Sequence, residues 1–338
     1  MATATWRTEV LGGFDPSQCE DGRADELALL RSCIEERIDQ LLADSGGQAD
    51  PLSAAMRAGA LSAGKRMRPL LVMLVARDLG CHSPALVDVA CAVEMVHAAS
   101  LMLDDMPCMD NAQLRRGKPA IHVQYGEDVT ILASVALLSR AFGVLATAHD
   151  IPPVTRARLV AKLAETVGTQ GLVRGQFEDL HGAGTRTLDA IAATNELKTG
   201  VLLGVAVDMA AIIAQTDDGV AQSLRAFALA AGHAFQIRDD FHDLPGNDSA
   251  VTGKDTGKDL GKATLLASLG IDEAQRRLAT HLVDAERHLV AALGASSSTR
   301  HFVDGLFAQG RSRLRLAPDG GLSYADSAPA RGREVRVN

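Results

Sequence analysis

The stretch ALVDVACAVEMVHAASLMLDDMPCMD, residues 85–110, decides how this chain folds. Up to residue 103 it consists almost entirely of apolar and small side chains, with no polar face. A helix that is apolar all round is stable only when other helices surround it. The stretch therefore predicts a central helix of a helical bundle, and this helix ends in three aspartates, Asp104, Asp105 and Asp110.

The rest of the chain repeats the helical pattern. Of its 338 residues, 47% are hydrophobic but only 3% are aromatic. This composition favours interlocking helices over strands, which use more β-branched and aromatic residues. Long apolar helical segments recur at residues 129–149 and 188–214, and no segment alternates as a half-buried strand does. We therefore predict an all-α, single-domain helical bundle.

The predicted domain covers residues 24–316. Residues 1–23 have no periodic apolar pattern and are expected to form a flexible arm. Residues 317–338 are rich in small and polar side chains, and we expect a disordered tail. The segment 245–264 is rich in Gly, Asp and Lys, which predicts a mobile loop.

The formal net charge of −8 argues against nucleic acid or an anionic membrane as the main partner. Any anionic substrate must instead be held by local basic residues or by metal ions. No uninterrupted apolar run reaches the ~18–20 residues of a membrane span, so we expect no integral membrane segment. The five cysteines form no CxxC pair, which is typical of reduced thiols in a cytoplasmic protein.

A second acidic cluster follows another helical segment, in FQIRDDFHD, residues 235–243. At about 100° per residue, Asp239, Asp240 and Asp243 share one helix face, with Gln236 one turn earlier. Three carboxylates in such an arc repel one another unless cations bridge them. Oxygen ligands with room for water and phosphate suit Mg²⁺.

The first cluster needs a break in its helix to work in the same way. On a continuous helix Asp110 would point away from Asp105, but Pro107 disfavours helix at the residue before it. The following loop can then bring Asp110 back beside Asp104. His97, seven residues before Asp104, lies on nearly the same helix face.

A single acidic cluster at a helix end is more often a solvated surface feature than a metal site, and a lone histidine such as His97 is more often a core residue. Two acidic clusters that lie 135 residues apart and each end an apolar helix indicate two walls of one cavity.

Basic residues form groups that complement the aspartates. Arginine binds phosphate oxygens bidentately, so arginine pairs beside an acidic metal site indicate a polyphosphate ligand. Separate basic groups suggest two phosphorylated substrates, one bridged to the aspartates through Mg²⁺ and one held without metal. The groups are Lys65, Arg66 and Arg68; Arg115 and Arg116; Lys198 with Thr199; and Lys254, Lys258 and Lys262.

With these residues in place, the chain resembles the trans-isoprenyl diphosphate synthases, and most closely the bacterial geranylgeranyl diphosphate synthases. The motifs that carry the resemblance occur in order over roughly residues 50–270. They are GKRMRP, VEMVHAASLMLDDMPCMDNAQLRRGKPAIH, GQFEDL, KTG, FQIRDDFHD and GKATLLASLG. The resemblance implies an all-α bundle around a deep cavity, usually as a homodimer.

The resemblance also implies roles for individual residues. Isopentenyl diphosphate would be bound by Lys65, Arg68, His97 and Arg116. The allylic diphosphate would be bound by Arg115, Lys198, Thr199, Gln236 and Lys254, with three Mg²⁺ ions. The metal ligands would be Asp104, Asp105, Asp110, Asp239 and Asp243, and Asp240 and Lys198 would join them in catalysis. Two departures, Ala63 for a frequent glycine and Asn195 for a frequent histidine, remove no charged ligand.

Product length is expected to depend on Ala99 and Ser100, one turn or more before Asp104. Both are small, which indicates a C20 product, whereas farnesyl diphosphate synthases of this family tend to carry a bulky aromatic residue there. A C15 product remains the alternative. A terpene cyclase is a different enzyme class, but it needs no second substrate site. A non-catalytic subunit typically loses an acidic motif, and both are intact here.

Overall fold

The computed structural model describes residues 20–43, 50–182, 187–242 and 265–311. These residues form an all-α bundle, as the composition predicts. Its helices are α1 (Glu20–Ala43), α2 (Pro51–Ala60), α3 (Met67–Asp78), α4 (Leu86–Asp104), α5 (Ile121–Tyr125), α6 (Glu127–Ala146), α7 (Pro153–Val167), α8 (Leu172–His181), α9 (Leu188–Asn195), α10 (Val201–Ala214), α11 (Asp218–His242), α12 (Leu265–Leu269), α13 (Ile271–Leu293) and α14 (Ser298–Arg311).

Helix α4 lies at the centre of the bundle, as its sequence predicts. It packs against α1, α2, α3, α6 and α10, and almost every side chain from Leu86 to Ala99 is buried. It ends at Asp104, so that this central helix delivers the first aspartate cluster. Helix α11 packs along α13 and against α10, and it delivers the second cluster from the other side.

The first described helix begins at Glu20, four residues before the predicted start of the domain. It is tied to the bundle by Arg66, whose guanidinium is 1% exposed and pairs with Glu35 of α1 at 2.9 Å and Glu94 of α4 at 2.8 Å. Arg66 has a left-handed backbone, with φ of +48°. The basic group at residues 65–68 is therefore divided, because Arg66 points into the core and not towards a ligand.

A two-stranded hairpin follows the first aspartate cluster, where the sequence shows no strand pattern. Strands β1 (Leu114–Arg115) and β2 (Lys118–Pro119) pair antiparallel. The two turn residues, Arg116 and Gly117, both have positive φ, at +55° and +75°. Positive φ at both central positions gives the tight turn whose twist matches a hairpin.

Between α9 and α10 the chain forms one π-helical turn, Glu196–Gly200. The sequence predicts a single continuous helix here. A π turn adds one residue to a helical turn, and such turns are frequent at functional sites. This one carries Lys198 and Thr199, two residues of the predicted allylic diphosphate site.

Within the described residues, three helical segments are long and apolar enough to cross a membrane by length and composition: Leu86–Asp104, Glu127–Ala146 and Ala190–Ala214. The first and third windows are 72% and 61% buried inside the protein, so core packing accounts for their apolar character. The second, which is α6, is only 39% buried. The outward face of α6 therefore needs another explanation.

Candidate active site

The main candidate site is a cavity of about 610 Å³ between the central helices and α8. Its wall combines charged groups with a large apolar surface. The charged and polar members include Arg68, His97, Asp104, Arg115, Arg116, Gln176, Lys198, Thr199 and Asp239, and the apolar members include Val96, Leu101, Leu138, Val167, Leu172 and Leu202. A ligand with an anionic end and a hydrocarbon tail matches both surfaces.

The chain turns back at the first aspartate cluster, as Pro107 predicts. Asp105 caps the end of α4, and the backbone N–H of Asp110 donates to the carbonyl oxygen of Asp104 at 3.0 Å. Although burial opposes the shift, the pKa of Arg115 is raised first by its hydrogen bond to Asp105, then by the charges of Asp105 and Asp104, and last by that of Asp110. The loop therefore returns the backbone of Asp110 to Asp104, while the approach of its carboxylate to a shared metal site stays a prediction.

Asp105 differs from its neighbours because it is buried and engaged with Arg115. The Nε atom of Arg115 donates to the two oxygens of Asp105 at 2.9 and 3.1 Å, while its Nη2 atom lies 3.8 Å from Asp104 Oδ2. Burial raises the pKa of Asp105, although the hydrogen-bonded Arg115 opposes this shift. Asp105 is absent from the cavity wall, so it serves here to orient Arg115.

The guanidinium of Arg116 is held by a different part of the chain. Its Nη1 atom donates to the Ser62 hydroxyl at 3.2 Å and to the Ala63 carbonyl at 2.6 Å. A Cβ atom at Gly64 would lie 2.5 Å from this nitrogen, so the glycine leaves room for it. Both arginines of the hairpin line the cavity, and each is held in place by different residues.

Arg68 and His97 meet across α3 and α4, as predicted for one anion site. Arg68 Nη1 lies 3.1 Å from His97 Nε2. Because a guanidinium only donates, Nε2 must accept, and the proton of the neutral ring is assigned to Nδ1. Burial first, and then the charge of Arg68, lower the pKa of His97 well below its usual value. The ring is therefore neutral.

This pair also has two donors that no described residue satisfies. Among the described residues, neither His97 Nδ1 nor Arg68 Nε has a hydrogen-bond partner, although both atoms are buried. Buried donors are normally satisfied, so unpaired ones at a cavity indicate that an acceptor belongs there. Lys65, predicted for the same site, is exposed and is not part of the cavity wall.

Lys198 lies between two carboxylates. Its Nζ atom is 2.7 Å from Asp179 Oδ2 and 3.2 Å from Asp104 Oδ1. Burial disfavours its charge, but the two carboxylates outweigh this effect and raise its pKa. Lys198 is thus a charged ammonium group on the cavity wall, next to the first aspartate cluster.

Helix α8 contributes two residues to which the sequence analysis gave no role. Gln176 Nε2 donates to Asp104 Oδ1 at 2.7 Å, and Asp179 accepts from Lys198. They are three positions apart and so share a helix face. Both belong to the GQFEDL motif, and this spacing of two polar side chains was the signal that could have identified them.

The second aspartate cluster is divided between the cavity and the core. Asp239 lines the cavity, whereas Asp240 is buried. Asp240 accepts from Gln236 Nε2 at 3.0 Å and from the backbone N–H of Leu266 at 3.3 Å, which fixes the start of α12. Gln236 in turn accepts from the Thr199 hydroxyl at 3.4 Å. Asp240 therefore positions Gln236 and Thr199.

Several predicted residues lie outside the described part of the chain: Asp243 of the second cluster and the loop lysines Lys254, Lys258 and Lys262. Of the two residues predicted to set product length, Ser100 lines the cavity and donates to the His97 carbonyl at 2.8 Å. Ala99 is fully buried and is not part of the cavity wall.

The donors of the site fit Mg²⁺ in their chemistry. Asp104 and Asp239 bring carboxylate oxygens to the same cavity from two helices, and Asp110 lies beside Asp104. Oxygen ligands of this kind suit Mg²⁺ better than softer metals. Within the described residues no three His, Cys, Asp or Glu side chains converge on a single point. A metal ion at Asp104 would replace Lys198, which lies at one of its oxygens.

Comparison with known proteins identifies relatives over most of the chain. Residues 50–293 match the family model described as polyprenyl synthetase. The chain is 49% identical to the geranylgeranyl diphosphate synthase of Pantoea ananas over 84% of its length and 93% of the relative's length. It is 48% identical to the protein of the same name from Pseudescherichia vulneris, over 82% and 90%.

More distant relatives include a farnesyl diphosphate synthase from Geobacillus stearothermophilus, 42% identical over 70% of this chain and 82% of that protein. Among solved structures, an FPP/GFPP synthase from Zymomonas mobilis superposes with a TM-score of 0.73 at 32% identity, covering 84% of this chain and 99% of that one. These comparisons and the geometry of the cavity agree on one kind of protein.

Proposed function

Because the chain belongs to the polyprenyl synthetase family, we propose that it is a geranylgeranyl diphosphate synthase. This prenyltransferase condenses isopentenyl diphosphate head-to-tail with dimethylallyl, geranyl or farnesyl diphosphate and releases diphosphate. The observation that carries the proposal is a single cavity in which carboxylates, arginines and a lysine adjoin an extended apolar wall. The similarity to two bacterial geranylgeranyl diphosphate synthases supports it.

The two diphosphates would occupy separate groups of cations. Arg68, Arg116 and the Nδ1–H of neutral His97 would bind isopentenyl diphosphate, since buried donors there lack partners among the described residues. Arg115 and Lys198 would bind the allylic diphosphate beside Asp104. Charge-assisted hydrogen bonds of this kind are the strong ones in proteins.

Asp104, Asp110 and Asp239 would hold Mg²⁺ together with the allylic diphosphate. Asp105 instead orients Arg115. Asp243 and Lys254 remain candidates on the basis of the sequence. When bound, Mg²⁺, for which we propose three ions, would neutralise that diphosphate and act as a Lewis acid towards it.

The reaction breaks the bond between the allylic carbon and its diphosphate oxygen, which takes the electron pair. The double bond of isopentenyl diphosphate attacks the allylic cation, and a proton then leaves the new cation to the departing diphosphate. The side chains of Thr199 and Gln236, held in position by Asp240, would stabilise the positive charge through their oxygens. The apolar wall keeps water from the cation.

A C20 product is favoured over a C15 product by the small side chain at the cavity wall. Ser100 faces the cavity, and the apolar side chains beyond it leave space for the growing tail. Fully buried Ala99 would act indirectly, through the packing around Ser100. The farnesyl diphosphate synthase reading remains the second candidate because such an enzyme is 42% identical.

The decisive experiment incubates purified protein with Mg²⁺, isopentenyl diphosphate and each allylic diphosphate separately. Mass spectrometry of the dephosphorylated alcohols should find geranylgeraniol from all three starters, and a chelator should abolish it. Farnesol as the end product, with farnesyl diphosphate unconsumed, would replace C20 by C15. Cyclic products from one substrate alone would identify a terpene cyclase.

We further propose that the enzyme is a cytoplasmic homodimer. Ile131, Leu132 and Val135 on the outward face of α6 are 45%, 58% and 57% exposed, and an apolar face of this kind is typical of a subunit interface. Light scattering should give a dimer that Leu132→Lys converts to a monomer. The free thiols among the described residues support a reducing compartment.

A further inference from the structure

We propose that Asp179 is a positioning residue, which holds the Lys198 ammonium at the diphosphate site while Asp104 exchanges that ammonium for a divalent metal ion. The inference rests on the proposed function, because it concerns the same metal and diphosphate site. It assigns a task to a carboxylate that neither the aspartate clusters nor the basic groups include.

The contacts of Lys198 show why it needs Asp179 as a second carboxylate. Its ammonium lies 3.2 Å from Asp104, a proposed metal ligand, and 2.7 Å from Asp179, which is not a member of either aspartate cluster. A metal ion on Asp104 repels a cation at that distance. Lys198 must then move away from Asp104, and Asp179 is the carboxylate that remains within hydrogen-bonding distance.

Burial makes this second carboxylate necessary. The side chains of Lys198, Asp179 and Asp104 are only 26%, 18% and 15% exposed. Desolvation of a largely buried ammonium group is uncompensated when the group has no partner, whereas a paired carboxylate offsets it. With Asp179 present, the ammonium can leave Asp104 and stay on the cavity wall, where an allylic diphosphate would bind it.

Helix α8 fixes Asp179 relative to both partners. One turn earlier, Gln176 donates to the same Asp104 oxygen that Lys198 approaches. The backbone of Gly175 is so close to the π turn that a Cβ atom on residue 175 would lie 2.6 Å from the backbone nitrogen of Lys198. The helix therefore contacts the metal ligand through Gln176 and the lysine through Asp179.

The test measures metal binding without any prenyl transfer. Mg²⁺ is titrated calorimetrically into protein that contains inorganic diphosphate. Asp179→Asn should raise the half-saturating Mg²⁺ concentration about tenfold, because a hydrogen bond between charged groups is worth roughly that factor. Asp179→Glu, which keeps the charge, should recover most of the loss. The control Glu178→Gln removes the adjacent carboxylate, which pairs with Arg174 on the outer part of α8, and should change nothing.

A positioning role through Lys198 predicts non-additivity. In a Lys198→Met background, Asp179→Asn should shift the half-saturating Mg²⁺ concentration by less than about twofold. An undiminished tenfold effect in that background, or an equal effect of Glu178→Gln, would overturn the proposal, since either result would reduce Asp179 to a general negative charge.

A second measurement needs no metal. In chelator, the urea unfolding constant should respond to Asp179→Asn about fivefold less in the Lys198→Met background than in the wild type, because the pair is already broken. Equal responses would show that Asp179 does not stabilise Lys198 and would overturn the proposal. Normal diphosphate-dependent Mg²⁺ binding by a wild-type protein without prenyl transfer would instead remove the proposed function and leave this inference standing.

Discussion

Replacing Gly175 by alanine should disable the enzyme while leaving it folded. The added Cβ atom would lie 2.6 Å from the Leu197 carbonyl carbon and the Lys198 nitrogen. Both are backbone atoms and cannot rotate away. Helix α8 and the π turn must therefore separate by about 0.8 Å to reach an ordinary contact of about 3.4 Å.

The expected loss of rate and stability follows from the displacement of Lys198 relative to Asp179. Lys198 and Asp179 lie on the two sides of the contact, and their hydrogen bond of 2.7 Å cannot survive an added 0.8 Å unchanged. A displacement of about 1 Å at a reacting site can cost on the order of a hundredfold in rate. Overpacking should also lower the free energy of unfolding by about 1–3 kcal/mol.

The assay compares kcat/KM for farnesyl diphosphate and urea unfolding in Gly175→Ala and a matched control. Gly204→Ala places the same methyl group on α10, where no atom lies within 4 Å of the new Cβ. This control should keep wild-type kcat/KM and gain about 0.5–1 kcal/mol, because alanine favours helix over glycine. Wild-type kcat/KM in Gly175→Ala would show that the contact does not position Lys198.

Three further predictions concern other parts of the site and core. Ser100→Phe fills space at the cavity wall and should shift the product from C20 to C15 with kcat for the first condensation within about threefold, since the cations are untouched; unchanged geranylgeraniol would remove Ser100 from length control. The pKa of His97 is lower in the folded than in the unfolded protein, so the unfolded state binds the extra proton as pH falls below about 6.5. Wild-type stability should therefore fall between pH 7 and pH 5 more steeply than that of His97→Gln, by up to about 1.4 kcal/mol per pH unit; parallel melting curves would contradict this. Arg66→Met leaves Glu94 buried without its partner and should cost about 3–5 kcal/mol in urea unfolding, whereas Arg66→Met with Glu94→Leu should recover much of it; a single variant as stable as the wild type would refute this role.

The sequence could predict those features that depend on local patterns. A helix apolar on all sides at residues 85–103 predicts a central position, and Pro107 predicts where it ends; both predictions are confirmed. Carboxylates spaced i, i+1 and i+4 predict a shared face. Each of these inferences needs only the geometry of one helix, which the residue types determine.

Other features depend on contacts between distant segments, and local patterns do not contain them. Lys65, Arg66 and Arg68 are equivalent as basic residues in a sequence, and only the distant glutamates of α1 and α4 show that Arg66 belongs to the core. Strands of two residues are too short to alternate. The π turn has the composition of an ordinary helix, so its extra residue becomes visible only through the helices packed on it.

The hairpin at residues 114–119 places two adjacent arginines in different surroundings. Arg115 lies in strand β1 and Arg116 in the following turn, where φ is positive, so one peptide unit separates Arg115, beside the aspartates, from Arg116, at the carbonyls of residues 62 and 63. The turn that carries Arg116 would therefore fix the distance between the two diphosphate groups. Dimethylallyl, geranyl and farnesyl chains would present the same reacting carbon, whatever their length. Substitutions deep in the cavity can therefore change the length of hydrocarbon chain that fits, without moving the reacting groups at the cavity entrance.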